Sequence, residues 1–287
     1  MIEKSYDYIN VTFDRIEKFW ESEEFRTFVA FTLFTVFVVV ALITQLKISG
    51  ILSTGILSFI PSSHLYSIRL TFSMLLAYEI LSMVFSLKNS VSNSIGKQIE
   101  ILSLVILRHG FKDLVYFDEP LSMLSNIKPM TVFLSDVFGG LIILIILGYY
   151  YRMQIHLPIT ASEDEKYSFI TVKKGLALVI LLYAIIVGVL TIAGFYPGSH
   201  YHAFFESFFT FLIFTDILLV FLSLRYSSSY YILFRNSGFA LTTVIIRIAI
   251  TAPDYYRVIL AITAAIFALC LSWGYINFQK KAGIIKE

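Results

Sequence analysis

Four ionisable side chains interrupt stretches that are otherwise apolar, and any chemistry in this chain starts with them. Glu79 lies nine residues before Lys88, and Asp216 lies nine before Arg225. At 1.5 Å per helical residue, each acid sits ~13 Å in from that basic residue. Arg108 follows Lys97 by eleven residues and Arg247 follows Arg235 by twelve, so these arginines lie about 16 and 18 Å along their helices. A lone charge at the centre of a bilayer costs ~2.5–3.5 kcal/mol on insertion scales. The spacing therefore predicts acid–arginine pairs facing the protein interior, Glu79 with Arg108 and Asp216 with Arg247. Arginine can give a carboxylate two hydrogen bonds at once. The partners could also exchange. Such pairs either clamp helices together or line a path for an ion or proton.

Histidines form a second candidate set. His64, His200 and His202 fall at the predicted outer ends of helices, and His109 adjoins Arg108. Imidazoles at an outer mouth could sense pH or hold zinc. Only His200 and His202 are close in sequence, however, and no carboxylate cluster completes a metal set. A helix-start role is the alternative, because Pro61-Ser62-Ser63-His64 and Pro197-Gly198-Ser199-His200 both look like helix beginnings. The single cysteine, Cys270, allows neither an intramolecular disulfide nor a cysteine-based metal site. No phosphate-binding loop, dinucleotide fingerprint, zinc-protease motif, serine elbow or potassium-filter sequence is found. The expectation is a protein that is not an enzyme and uses no cofactor.

The elements that carry these residues are membrane spans. Of 287 residues, 57% are apolar and 15% charged, with a mean hydropathy of +0.79. A soluble fold with that balance could not cover its own surface. A net charge of only +2 gives no pull toward nucleic acid. Apolar runs near 20 residues mark spanning helices. They fall at Thr27–Leu46, Leu70–Leu87, Met130–Tyr151, Gly175–Tyr196, Ser207–Leu224 and Val258–Phe278. The third, Met130–Tyr151, carries one acid, Asp136. Two further segments, Ile95–Phe117 and Asn236–Pro253, each hold one arginine mid-length and could be spanning, re-entrant or interfacial.

Charge balance favours spanning. With eight crossings and both termini inside, 15 Lys and Arg face the cytoplasm and 5 face out. With six crossings the division is 12 to 10, which loses the cytoplasmic enrichment expected of loops. No cleavable signal pattern is expected in the charged first 25 residues. There, Ile9, Phe13, Ile16 and Trp20 share one helical face, which predicts an amphipathic helix on the inner leaflet or against the bundle.

An internal repeat organises the spans. Pro61 to His64 matches Pro197 to His200 at an offset of 136. Glu79-Ile80-Leu81 matches Asp216-Ile217-Leu218, and Ser86-Leu87-Lys88 matches Ser223-Leu224-Arg225, at 137. Arg108 and Arg247 follow at 139, and Gly148-Tyr149 recurs as Gly274-Tyr275. The expected architecture is all-α: two tandem parallel four-helix repeats related by an axis along the membrane normal. The divisions are 1–25 for the amphipathic helix, 26–152 and 174–279 for the repeats, 153–173 for a cytoplasmic linker and 280–287 for a cytoplasmic tail. The stretch Phe214–Arg225, followed by an arginine-bearing helix, locally resembles the third and fourth helices of voltage-sensor domains over about 40 residues. It departs from them in carrying Arg235 and Arg247 twelve apart rather than arginines at every third position.

The functional expectation is a multi-pass protein of the plasma (inner) membrane that passes a small inorganic ion or a proton past the paired charges. The rival is a non-transporting scaffold or sensor whose charges only hold helices and whose cytosolic loops bind a partner. Expected partners are the lipid bilayer, the ion itself, and a second copy or another membrane protein, with no nucleic acid.

Overall fold

The computed structural model describes residues 2–50, 63–117, 127–153, 163–192, 200–226 and 230–281. All regular structure among them is helical. Helix α1 spans Ile2–Trp20, α2 Glu23–Ile48, α3 Leu65–Phe85, α4 Val91–Asp113, α5 Ile127–Arg152, α6 Glu163–Ile192, α7 His200–Tyr226, α8 Tyr230–Thr251 and α9 Asp254–Lys281. Short 3-10 turns follow α3 at Ser86–Lys88 and α4 at Leu114–Tyr116. Ser22 and Ser90 cap α2 and α4, their hydroxyls accepting from the backbone N–H of Phe25 and Asn93.

Six described helices are long and apolar enough to cross a membrane: Glu23–Ile48, Leu65–Lys88, Ile127–Met153, Tyr167–Thr191, Tyr230–Thr251 and Asp254–Gln279. The chain is a multi-pass membrane protein with buried salt bridges. The arginine-bearing segment of α8 belongs to this set, and its helix begins at Tyr230, six residues earlier than the sequence suggested. Helix α6 likewise starts at Glu163, inside the stretch expected to be a linker. In α7 the apolar stretch among the described residues is Ser207–Leu222.

Helix α4 is too polar to register by hydropathy, and its surroundings explain why. It packs against α3, α5, α8 and α9. Only a narrow stripe of Lys97, Leu104, Leu107 and Phe111 faces outward. Ser94, Gln98, Ser103, His109 and Asp113 are buried against protein. A helix walled by other helices needs few lipid-facing side chains, so its average hydropathy falls.

Helix ends identify two ends of the bundle. Trp20 Nε1 donates to Ser82 Oγ at 2.8 Å, joining the end of α1 to the end of α3. Tyr150 OH donates to the Ser92 carbonyl at 2.9 Å, joining the end of α5 to the start of α4. Arg235 lies 4.6 Å from the Tyr275 ring centre, joining the start of α8 to the end of α9. These contacts lie at the α1 end. At the far end, Phe72 stacks on Phe111 with centroids 4.9 Å apart, and the Thr131 and Tyr255 hydroxyls are 2.7 Å apart. Helices α4 and α8 thus run the same way, and α5 and α9 run together in the opposite sense.

Helix α1 packs on the bundle with one face. Phe13 is fully buried against Phe85. Glu17 pairs with Lys88, and Asp14 pairs with Lys174 at 2.7 Å. Asn10 donates to Thr171 at 2.9 Å. Of the face anticipated from sequence, Phe13 and Trp20 turn inward while Ile16 stays at the edge. Tyr8, Val11 and Phe19 remain exposed on the other side, an apolar row suited to lipid.

Gly139 and Gly140 let α5 approach two helices at once. A Cβ on Gly139 would collide with Val258 of α9. A Cβ on Gly140 would lie 3.0 Å from the Ser103 carbonyl oxygen and 3.1 Å from the Leu107 backbone nitrogen of α4. Backbone atoms cannot step aside as a side chain can, so the helices must separate. Gly140→Leu should cost about 1–3 kcal/mol of stability, read as a lower thermal midpoint in detergent. Gly148→Leu on the same helix meets nothing within 4 Å and should melt like wild type.

Candidate functional site

Helices α3 and α7 each bring an acid, and α4 and α8 each bring an arginine, to the middle of the bundle. Glu79 pairs with Arg108. Asp216 pairs with Arg247, whose Nε and Nη2 each lie 3.2 Å from the same carboxylate oxygen. The two pairs sit in different surroundings. The Arg247 side chain is 1% exposed, whereas that of Arg108 is 27% exposed and lies near the lipid-facing stripe of α4. One oxygen of Glu79 and one guanidinium nitrogen of Arg247 have no hydrogen-bond partner.

Burial also separates the two arginines in register. At an offset of 137, the outward residues of α4 and α8 coincide: Lys97 with Phe234, Leu104 with Leu241, Phe111 with Ile248. The inward ones coincide too, Leu102 with Phe239, Val105 with Thr242, Ile106 with Thr243 and His109 with Ile246. On this register Arg108 stands opposite Ile245, and Arg247 opposite Gly110. The offset of 139 that would match the arginines instead places the exposed Leu104 against the buried Thr243. The arginines therefore occupy different helical faces, and each reaches its acid from a different side.

A larger ionic cluster, absent from the sequence reading, lies at the far end. Arg257 of α9 donates to Asp113 of α4 at 3.1 Å and to Asp254 at 2.9 Å. Its Nη1 lies 2.6 Å from His109 Nδ1 and 3.6 Å from Asp136 of α5. Arginine can only donate, so His109 Nδ1 accepts and the ring proton sits on Nε2. Asp136 is completely buried, and among the described residues neither of its oxygens has a hydrogen-bond partner. The signal for this cluster was the lone acid of a predicted span. The apolar run Val258–Phe278 starts one residue after Arg257, but the helix begins at Asp254, and Arg257 lies inside α9 and buried.

Two cavities flank these charges, and both lie where α3 and α4 face α7 and α8. The far-end cavity, about 340 Å³, is bordered by Arg69, His109, Lys112, Asp113, Phe209 and Arg257. The cavity toward the α1 end, about 50 Å³, is bordered by Gln98, Lys173, Asp216, Asn236 and Thr243 among others. Asp216 therefore reaches a cavity, while Glu79 lines neither. Leu76 and Ile80 of α3 with Phe209 of α7 form the apolar floor of the far-end cavity. Lys173 is buried, with its ammonium donating to the Asn89 carbonyl at 2.6 Å. Gln98, Lys173 and Asn236 had no place in the sequence reading, because each is a single polar residue without a motif.

The histidines do not converge. His64 sits at the start of α3 with its ring nitrogen 2.8 Å from Gln45 of α2 and makes no capping bond. His200 and His202 begin α7, but their side chains lie outside the described residues, as do Pro61 and Pro197. Among the described residues no group of three or more His, Cys, Asp or Glu side chains is placed to hold a metal. No family model, curated protein or solved structure matches the chain.

The closed pair on α7 and α8 makes a clear stability test. Arg247→Ala leaves Asp216 buried and unpaired, a loss of about 3–5 kcal/mol for such pairs. Asp216→Asn in the same protein removes the orphaned charge and should recover part of the thermal midpoint in detergent. A double variant as unstable as Arg247→Ala alone would show that the pair is not what the arginine stabilises.

Proposed function

We propose that the protein carries a small inorganic ion or a proton across the membrane along the seam between two four-helix units. The units are α2–α5 and α6–α9, eight crossings in all, with the α1 end in the cytoplasm. The supporting observation is a pair of cavities, each with charged side chains set in a largely apolar wall. They lie toward opposite ends of the bundle, with Asp216 in the wall of one and Arg257 in the wall of the other. A purely structural clamp has no need of cavities on both sides.

The duplication draws support from packing. Consecutive helices pack in the same order in both halves, and α4 meets α8 while α5 meets α9. Burial along α5 and α9 also coincides, at an offset of 125: Asp136 with Ala261, Gly139 with Ala264, Gly140 with Ala265 and Ile143 with Ala268. Of the helices paired on this reading, α4 and α8 run the same way, as do α5 and α9, which suits parallel repeats. On this reading the Asp216–Arg247 pair belongs to the second unit alone, and so has diverged from its counterpart. The far-end ionic cluster then joins the units, since Arg257 comes from one and Asp113, His109 and Asp136 from the other.

A second reading, a scaffold without transport, is favoured by the closure of both acid–arginine pairs. Flux separates the two. In liposomes under an ion or proton gradient, wild type should conduct or exchange, and Asp216→Asn should alter that flux while the protein stays folded. Flux absent in wild type under every gradient and voltage would leave the scaffold reading in place. Topology is checked independently with a membrane-impermeant thiol reagent on intact cells, in a Cys270→Ser background. Ser162→Cys should stay unlabelled from outside, and its labelling would overturn the eight-crossing arrangement.

A further inference from the structure

We infer that the cavity toward the α1 end is a binding site for a small monovalent anion of halide size. The argument is one of charge. Lys173 and Arg235 are both buried. Among the described residues neither forms an ion pair with a carboxylate: Lys173 meets a carbonyl oxygen and the Phe169 ring, and Arg235 meets the Asn236 amide oxygen and the Tyr275 ring. The only carboxylate in the cavity wall, Asp216, is already matched by Arg247. Lys173 in this wall and Arg235, which borders the adjoining small cavity with Ser92 and Phe239, are therefore two buried cations that no described carboxylate neutralises. A buried ion left uncompensated is strongly unfavourable, and an anion in the cavity removes the imbalance.

The cavity has the size and the donors for this. At about 50 Å³ it has room for an ion of water-like dimensions with a few waters, and too little for a bulky organic acid. Asn236 lines it with an amide nitrogen that has no hydrogen-bond partner and is deeply buried. Gln98 lines it too, with its amide oxygen unpartnered and its nitrogen only 3.4 Å from Ser94 Oγ. A half-turn of the Gln98 amide points its N–H groups inward, while the Ser94 hydroxyl donates to the oxygen. Lys173, Asn236 and Gln98 then surround the ion with donors. Lys173 comes from α6, Asn236 from α8 and Gln98 from α4, so the ion ties both halves of the bundle together at their seam.

This inference deepens the transport reading by giving the bound ion a sign, but its test measures binding and not flux. Thermal unfolding of the full-length protein in detergent is followed in sodium bromide and in sodium gluconate at one ionic strength. Bromide at ten times its Kd should raise the midpoint by about 2–3 °C, saturably, and gluconate should not. Lys173→Met should lose the bromide response. Asn236→Asp, which supplies a resident negative charge beside both cations, should lose it as well and melt higher in gluconate than wild type does. It serves the same purpose should Lys173→Met fail to fold. Equal midpoints for wild type in the two salts overturn the proposal, as does a bromide response that survives in both variants. Stabilisation by an anionic lipid without any bromide response overturns it too, by assigning the counter-charge to a headgroup. Bromide binding without flux removes the transport reading alone, and flux without bromide binding removes the anion alone.

Discussion

A charge inside hydrocarbon has to meet its opposite within the protein, and that constraint organises this bundle. Each mid-membrane acid is held by an arginine from the next helix, Glu79 by Arg108 and Asp216 by Arg247. The far end repeats the solution at larger scale, with Arg257 gathering Asp113, Asp254, Asp136 and His109. Because guanidinium groups offer five donors in a rigid fork, one arginine can serve several helices. Among the described residues the exceptions are Lys173 and Arg235, which meet a carbonyl, an amide and aromatic rings and no carboxylate.

Close packing supplies the second requirement. Helix α4 passes through the middle of the protein, and α5 lies against it through Gly139 and Gly140 while touching α9 on its other flank. On α9, Val258 meets Gly139, and Ala261, Ala264, Ala265 and Ala268 are all fully buried. Hydrophobic burial gives no advantage between helices that are already in lipid, so contact area and backbone approach take its place. Small residues on α5 and α9 provide both. The same economy leaves α3 and α4 facing α7 and α8 less tightly, and both cavities occur along that line.

Helix α1 connects this interior to the membrane surface. Its Phe13, Glu17 and Asp14 fasten it to the 3-10 turn after α3 and to α6. Lys173 and Phe169, which border the smaller cavity, lie on α6 beside the residues that α1 holds. The opposite face, with Tyr8, Val11 and Phe19, is apolar and open. The helix is therefore a surface element fastened by one face to α6 and to the turn after α3.

The amino-acid sequence by itself determined the class of protein, most of its spans, the surface helix and the acid–arginine partners. These are consequences of composition, of apolar run length and of 1.5 Å per residue, none of which needs tertiary information. It did not determine that α4 is buried by protein, because hydropathy averages over a helix while burial depends on what stands around it. It did not place Arg257 inside the bundle or link it to Asp136, since residues on α5 and α9 meet only after the chain has folded. The offset of 139 between Arg108 and Arg247 was an alignment of like residues, and the exposed stripes of α4 and α8 showed that the helical faces match at 137 instead. Gln98, Lys173 and Asn236 were invisible for the same reason: three isolated polar residues become a site only when three helices bring them to one cavity.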